Sequence, residues 1–299
     1  MFSFDFHSPV EPLDVPLFKD REVNVYVKRD DMIHPFISGN KWRKLKYVLQ
    51  AARSLGKTHL VTFGGAWSNH LLATACAGAK FGFQTTAFVR GEVVSNPLLS
   101  LCRIFGMRLR FVDRNAYRDK AGLFAAFATQ DEKAYFIEEG GYGLDAAKGC
   151  EEIINELDTV YDHIFCACGT GTTLAGLCMG LDSKGLHTRI HGIPVLAGGA
   201  FIKKAVAELY PEVAADGIVL HTDYHFGGYA KTTATLERFI CQFSANTGML
   251  IEPVYTGKLF YGVFDLASQD YFKPGDSILV IHTGGLTGIL GMYKRFESV

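Results

Sequence analysis

The chain has 299 residues, 48% of them hydrophobic, with 30 Lys+Arg against 31 Asp+Glu, enough for one large or two modest domains around a sizeable core. A formal net charge of −1 offers no general basic surface and no strong local patch stands in for one, so nucleic-acid binding is not expected. Glycine is in excess, 32 of 299 residues against a usual ~7%, while prolines number only 9, which points to backbone positions that need glycine rather than to disorder.

In chain order, short β-branched runs alternate with longer helical patterns. The candidate strands are VNVYV (23–27), THLVTF (58–63), TTAFV (85–89), RLRFV (108–112), AYFI (134–137), HIFCA (163–167), RIHGI (189–193), GIVLH (217–221) and SILVI (277–281). Between them lie stretches such as KWRKLKYVLQAARSL (41–55), LLATACAGAKFGF (71–83) and AKGCEEIINELDTV (147–160), whose apolar residues recur at three and four. This βαβ rhythm predicts an α/β fold with open parallel sheets covered by helices. No Ser/Pro linker marks a boundary, so two domains would exchange the chain more than once.

The seven cysteines (76, 102, 150, 166, 168, 178 and 241) are odd in number and mostly sit in apolar runs, so reduced, buried thiols are expected. Cys166 and Cys168 are one residue apart, which is neither a redox nor a zinc spacing. The opening MFSFDFHSPVEPLD lacks a basic start and is interrupted by Asp5, His7, Glu11 and Asp14, unlike a signal peptide. No apolar run approaches the ~18 residues that span a bilayer, and the expected location is cytoplasmic, with no membrane partner.

In open α/β sheets, ligands bind outside the carboxyl ends of the strands. Three turns there combine glycines with hydroxyl or amide side chains ahead of a helical pattern: GGAWSNH (64–70), CGTGTTLAG (168–176) and HTGGLTG (282–288). Free backbone N–H groups and the helix dipole favour an anion at such places. Gly169, Thr170, Gly171, Thr172 and Thr173 suit a phosphate, yet no G-K-[ST] ends the turn and Leu174 replaces the third glycine of the dinucleotide fingerprint. A small phosphomonoester fits this turn better than a dinucleotide; a plain Gly/Thr helix start fits it equally.

Lys41, in SGNKWRKL (38–45) after KRDD (28–31), stands at a helix start, where the dipole disfavours an ammonium, so a lowered pKa or covalent use is one reading. The other is that Lys41, Arg43, Lys44 and Lys46 form a solvated helix face. Ser68 is either a nucleophile candidate, though not in a G-x-S-x-G elbow, or a helix cap together with Asn69. His221, Asp223 and His225 are weak metal candidates in a loop.

Taken together, these elements resemble the pyridoxal-phosphate enzymes of the tryptophan-synthase β type, fold type II, and within them the aminocyclopropane-carboxylate deaminase and D-cysteine desulfhydrase group. The resemblance runs over most of the chain through KRDD, SGNKWRKL, GGAWSNH, EEGGYG (138–143), CGTGTTLAG, GGY (227–229), EPVYTGK (252–258) and HTGGLTG. It implies pyridoxal 5'-phosphate as cofactor and a two-domain architecture, with 1–43 and 146–299 as the large cofactor-binding domain and 44–145 inserted in it. A small amino-acid substrate and a homodimer are implied as well. Lys41 matches the lysine that bonds to the cofactor aldehyde and moves protons at the substrate. Asn69 matches the partner of the ring hydroxyl, and the Gly169 to Thr173 turn matches the phosphate cradle. Ser68 matches the serine at the substrate carboxylate; Tyr229 and Tyr255 match tyrosines facing the substrate. Lys44 adds charge near the phosphate, and Thr283 with Gly284 joins the cofactor-binding set through HTGGLTG.

Thr256 is the most informative departure, because cyclopropane-opening deaminases are expected to carry Glu there, beside the pyridine nitrogen. A carboxylate favours a protonated ring and a strong electron sink, whereas a hydroxyl leaves a weaker one. A weaker sink suffices to expel a thiol. The expectation is therefore a carbon-sulfur lyase that releases pyruvate, ammonia and sulfide in the manner of D-cysteine desulfhydrase. The alternatives are aminocyclopropane-carboxylate deamination to 2-oxobutanoate and ammonia, or non-catalytic cofactor binding; a nucleotide-binding α/β protein also stays open. Trp67 stands where the group often has Gln, DYHFGGYAK (223–231) departs from the usual P-G-Y-G, and the chain is short for the group, so pocket size and polarity are expected to differ.

Overall fold

In the computed structural model, residues 2, 4–212 and 217–297 are described. Each of the nine predicted strands is found, within a residue or two, in one of two sheets. The elements in order are β1 (Val10–Pro12), α1 (Pro16–Asp20), β2 (Asn24–Lys28), α2 (Asn40–Ser54), β3 (His59–Gly64), α3 (Asn69–Phe81), β4 (Gln84–Arg90), α4 (Pro97–Ile104), β5 (Arg108–Val112) and α5 (Lys120–Ala128). They continue with β6 (Ala134–Ile137), α6 (Leu144–Asn155), β7 (His163–Cys168), α7 (Thr172–Ser183), β8 (Arg189–Pro194), α8 (Phe201–Leu209), β9 (Ile218–Leu220), α9 (Ala234–Thr247), α10 (Thr256–Ser268) and β10 (Ser277–Ile281).

One sheet has the order β1-β2-β10-β7-β8-β9 and the other β5-β4-β3-β6. All pairings are parallel except that of β1 with β2, an edge strand too short and irregular to register as a period. The strands β3 and β7 are buried along their whole length. That is the expected reading of continuous apolar runs covered by helices on both faces. The four-stranded sheet is built from residues 59–137, and the chain before and after it forms the six-stranded sheet.

Helix limits differ from the predicted ones where cap chemistry intervenes. The apolar pattern 71–83 outruns its helix, which stops at Phe81 because Gly82 takes the left-handed conformation (φ +72°) and closes it. The pattern 147–160 yields helix only over Leu144–Asn155; beyond it the Glu156 carboxylate turns back to the Arg43 guanidinium and to Lys28 Nζ, at 2.9 Å from the latter.

The solvated-face reading of α2 does not hold. Arg43 is fully buried and pairs with the equally buried Asp30 at 2.8 Å and with Glu156. Lys44 is buried, and Lys46 reaches Glu152 at 2.6 Å. Burying two charges is tolerable only when they are paired and hydrogen-bonded, so the KRDD segment joins the end of β2 to the base of α2.

β2, β10 and β7 are neighbours, with Val27 opposite Val280 and Val280 opposite Phe165. The loops leaving their carboxyl ends, 29–39, 282–285 and 169–171, are therefore side by side. No helix among the described residues is long and apolar enough to cross a membrane.

Candidate active site

The loops after β2, β7 and β10 from one sheet, and after β3 from the other, surround a cavity of about 610 Å³. Lys41, Lys44, Ser68, Asn69, Gly169, Thr170, Gly171, Thr172, Thr173, Tyr229, Tyr255, Thr283 and Gly284 all line it. Residues far apart in sequence thus converge on one place, as the strand-end argument requires.

Lys41 is the second residue of α2, and its Nζ donates to Asn40 Oδ1 at 2.7 Å. Burial, with Lys44 nearby, lowers its pKa from 10.5 to about 7, which makes the free amine accessible near neutral pH. Asn40 is held in turn by its Nδ2, which donates to Thr173 Oγ1 at 3.1 Å, so the lysine is tied to the anion turn. The approach of this loop depends on Gly39. Its φ is +58°, and a Cβ there would collide with the Thr283 carbonyl oxygen.

The anion turn is pre-formed. Gly171, at φ +83°, precedes α7 without a side-chain cap, so the first N–H groups of the helix face the cavity. Thr170 and Thr172 hydroxyls lie 3.0 Å apart, and Lys44 Nζ donates to Gly140 O at 3.1 Å. Burial lowers the Lys44 pKa. An anion there would restore its charged form.

The capping reading of the first turn also fails. Ser68 precedes α3, but its side chain makes no capping bond. Asn69 instead spans to the other side of the cavity, donating from Nδ2 to Gly285 O at 3.1 Å and accepting from Thr287 Oγ1 at 2.8 Å. Trp67, 40% exposed, also lines the cavity.

Thr256 is the one predicted residue that does not line the cavity. It is fully buried; its Oγ1 accepts the Glu252 N–H at 2.9 Å and lies 3.4 Å from Glu252 Oε1. Glu252, also fully buried, accepts N–H bonds from Val254, Tyr255 and Thr256 at 2.7 to 2.8 Å. Its pKa is raised by burial against these bonds. Being part of EPVYTGK, Glu252 was visible as a residue, but its inward direction follows only from the turn that starts α10.

His70 was missed as well. Thr62 Oγ1 donates to Ile137 O at 2.9 Å, so it must accept from His70 Nε2 at 2.8 Å. Nδ1 is then a bare acceptor, buried and without a partner among the described residues. Burial, followed by Lys41 and Lys44, holds the His70 pKa down to about 3. Arg90 lines the cavity without belonging to any recognisable spacing; Glu139, within EEGGYG, lines it too and is paired with Lys120 at 3.1 Å.

Of the glycines in these turns, Gly65, Gly169, Gly171, Gly284 and Gly285 line the cavity, while Gly39, Gly64, Gly227 and Gly228 do not. The metal reading of His221, Asp223 and His225 finds no support. His221 Nε2 is bonded to His191 Nδ1 at 3.0 Å and His225 Nδ1 accepts the Gly227 N–H at 2.9 Å. Among the described residues no three His, Cys, Asp or Glu converge on a possible ion.

A lysine poised as free amine, an uncapped helix N-terminus for a dianion and an unpartnered buried acceptor, all at one cavity, fit one bound group, an aldehyde-bearing phosphomonoester. The family model described as "Pyridoxal-phosphate dependent enzyme" matches residues 7–284. The chain belongs to the pyridoxal-phosphate dependent enzymes. It is 34% identical over 283 residues (89% of this chain, 85% of the relative) to a "Putative 1-aminocyclopropane-1-carboxylate deaminase" of Pyrococcus horikoshii. It is 29% identical over 300 residues (91% and 89%) to a "D-cysteine desulfhydrase" of Salmonella newport. The crystal structure of an ACC deaminase homologue superposes with a TM-score of 0.86 at 32% identity, covering 98% of this chain and 94% of that one. The fold is therefore type II, the cofactor is pyridoxal phosphate, and the enzyme is a lyase or deaminase of this group.

Proposed function

We propose that the enzyme catalyses β-elimination on a small amino acid, in the manner of D-cysteine desulfhydrase, releasing pyruvate, ammonia and sulfide. The observation that carries this choice is Thr256. Thr256 stands at the place in the chain where the resemblance puts a carboxylate in cyclopropane-opening enzymes, its hydroxyl is turned to Glu252, and the Glu252 carboxylate is itself engaged by three backbone N–H groups. Without an ionised partner directed at the ring, the site favours reactions with a good leaving group.

Pyridoxal phosphate supplies an aldehyde that takes the substrate amine and a ring that withdraws electrons from the α-carbon. In this reading Thr170 to Thr173 and the N-terminus of α7 bind the phosphate, and Lys41 anchors the aldehyde. Asn69 orients the ring. Ser68 and the first N–H groups of α3 receive the substrate carboxylate. Lys41, whose lowered pKa leaves a large share of it as free amine near neutral pH, takes the α-proton. Tyr255 stays protonated, because burial holds its pKa well above the usual phenol value, and in this reading gives a proton to the departing sulfur. Tyr229, whose ring meets that of Tyr255 edge-on at 6.1 Å, shapes the same side.

The same reading takes the two sheets as two domains, with 44–145 inserted between 1–43 and 146–299, whose outermost residues 1, 298 and 299 lie outside the described ones. It also makes the enzyme a cytoplasmic homodimer, which sedimentation and fractionation test. Keto-acid release should be assayed from D-cysteine, L-cysteine, D-serine and aminocyclopropane carboxylate. Activity on the cyclopropane substrate alone would favour the second reading, the one suggested by the name of the Pyrococcus relative. Lys41→Ala should abolish the visible absorbance of the bound cofactor; its persistence would remove Lys41 from its role.

A further inference from the structure

Lys258, the third residue of α10, is fully buried, and nothing in the chemistry above uses it. Its Nζ donates to three backbone carbonyls: Val195 at 3.3 Å, His225 at 2.8 Å and Gly228 at 2.8 Å. Three N–H donors meet three acceptors, the full capacity of an ammonium. A lysine is an unfavourable choice for a dry site in the first turn of a helix, where the dipole opposes a positive charge and any apolar residue of similar length would fill the space. The carbonyls explain its presence.

Two of those carbonyls belong to an unusual loop. Phe226, Gly227, Gly228 and Ala230 have φ of +50°, +89°, +114° and +55°, so the two non-glycine residues bracket Tyr229 in a conformation that side chains avoid. Such a loop persists only when its surroundings over-determine it. Its own bonds are few: Gly227 N–H to His225 Nδ1 at 2.9 Å, and on backbone oxygens Gly228 N–H to His225 O at 3.0 Å and Lys231 N–H to Gly228 O at 3.1 Å. Lys258 adds a bond to each of these same oxygens. The third carbonyl, Val195, adjoins Leu196, which lines the cavity, and Tyr255 lies three residues before Lys258.

We propose that Lys258 is a positioning residue that clamps the 225–230 loop against α10 and the end of β8, holding Tyr229 in register with Tyr255 over the substrate. The clamp acts on the substrate side of the cavity and not on the phosphate side. The claim about substrate rests on the reading in which Tyr229 faces it; the claim about the loop does not.

The test is amide hydrogen exchange on the full-length, cofactor-loaded protein, combined with steady-state kinetics of keto-acid release. In Lys258→Met, amides of 225–230 should exchange about tenfold faster or more, while β7 and the last turns of α10 keep their protection. KM for the amino acid should rise about tenfold with kcat changed by less than about threefold, and the visible cofactor band should stay. Lys258→Gln, with two donors on a shorter arm, should fall between. Unchanged exchange in 225–230, or acceleration spread over the whole chain, would overturn the clamp. Faster local exchange with KM unmoved would overturn its role at the substrate. If neither variant folds, Lys258 is a general stabilising residue and the proposal fails. If the unaltered protein releases no keto acid from any substrate, the functional reading fails while the exchange result still decides the clamp.

Discussion

Lys41 in the cofactor-free protein should destabilise the fold it serves. Its amine keeps a normal affinity for protons in the unfolded chain, but burial and Lys44 lower the folded pKa from 10.5 to about 7. That difference is worth about 5 kcal/mol whenever both states would be protonated, below pH ~7. Between pH ~7 and ~10.5 the unfolded chain binds the extra proton, so the cost shrinks by about 1.4 kcal/mol per pH unit and disappears near the upper value. Lys41→Met retains an unbranched chain and removes the charge. The stripped variant should therefore unfold at higher urea than the stripped parent at pH 6, with an advantage of about 2 to 5 kcal/mol once relaxation of the site is allowed for. By pH 9 about 3 kcal/mol of the full cost should have gone. Urea titrations of both proteins at the two pH values give the difference directly. A difference that does not change between pH 6 and 9, or a less stable variant at pH 6, would refute the desolvated-amine argument and with it the claim that Lys41 is poised as a free base.

Other positions give sharper, narrower outcomes. Gly171→Ala forces a side chain to φ +83° at the anion turn and should weaken cofactor retention about tenfold, measured by equilibrium dialysis. Tyr255→Phe removes the proposed proton donor and should lower kcat about a hundredfold while the visible cofactor band is kept; an unchanged kcat would shift the acid role elsewhere. Arg43→Met leaves the buried Asp30 carboxylate without its cation and should cost about 3 to 5 kcal/mol in urea unfolding, most of which Asp30→Leu should restore in the double variant. Thr256→Val strands the Glu252 N–H and should cost about 1 to 3 kcal/mol.

Much of this was legible in one dimension because it depends on local pattern. Fully buried parallel strands need unbroken apolar runs, and amphipathic helices need apolar residues at three and four, so β2 to β10 and the helices α2, α3 and α6 could be placed from their own residues. The turns that line the cavity were legible for the same reason, since an exposed helix N-terminus with close backbone approach demands glycine and small hydroxyl residues locally, as at Gly169 to Thr173.

Tertiary structure alone decided which side of each residue faces the site. Nothing local distinguishes Lys41, at the cavity, from Lys258, far along the chain and buried on three carbonyls. Nor does the sequence around EPVYTGK reveal that Thr256 turns inward to Glu252 rather than to the cavity. His70 becomes an unpartnered acceptor only because Thr62, on the neighbouring strand, has already donated its proton to Ile137. The physical reason is common to all three. A sequence determines which groups can bond or ionise, but burial and the direction of a hydrogen bond depend on partners that the strand order brings from elsewhere in the chain.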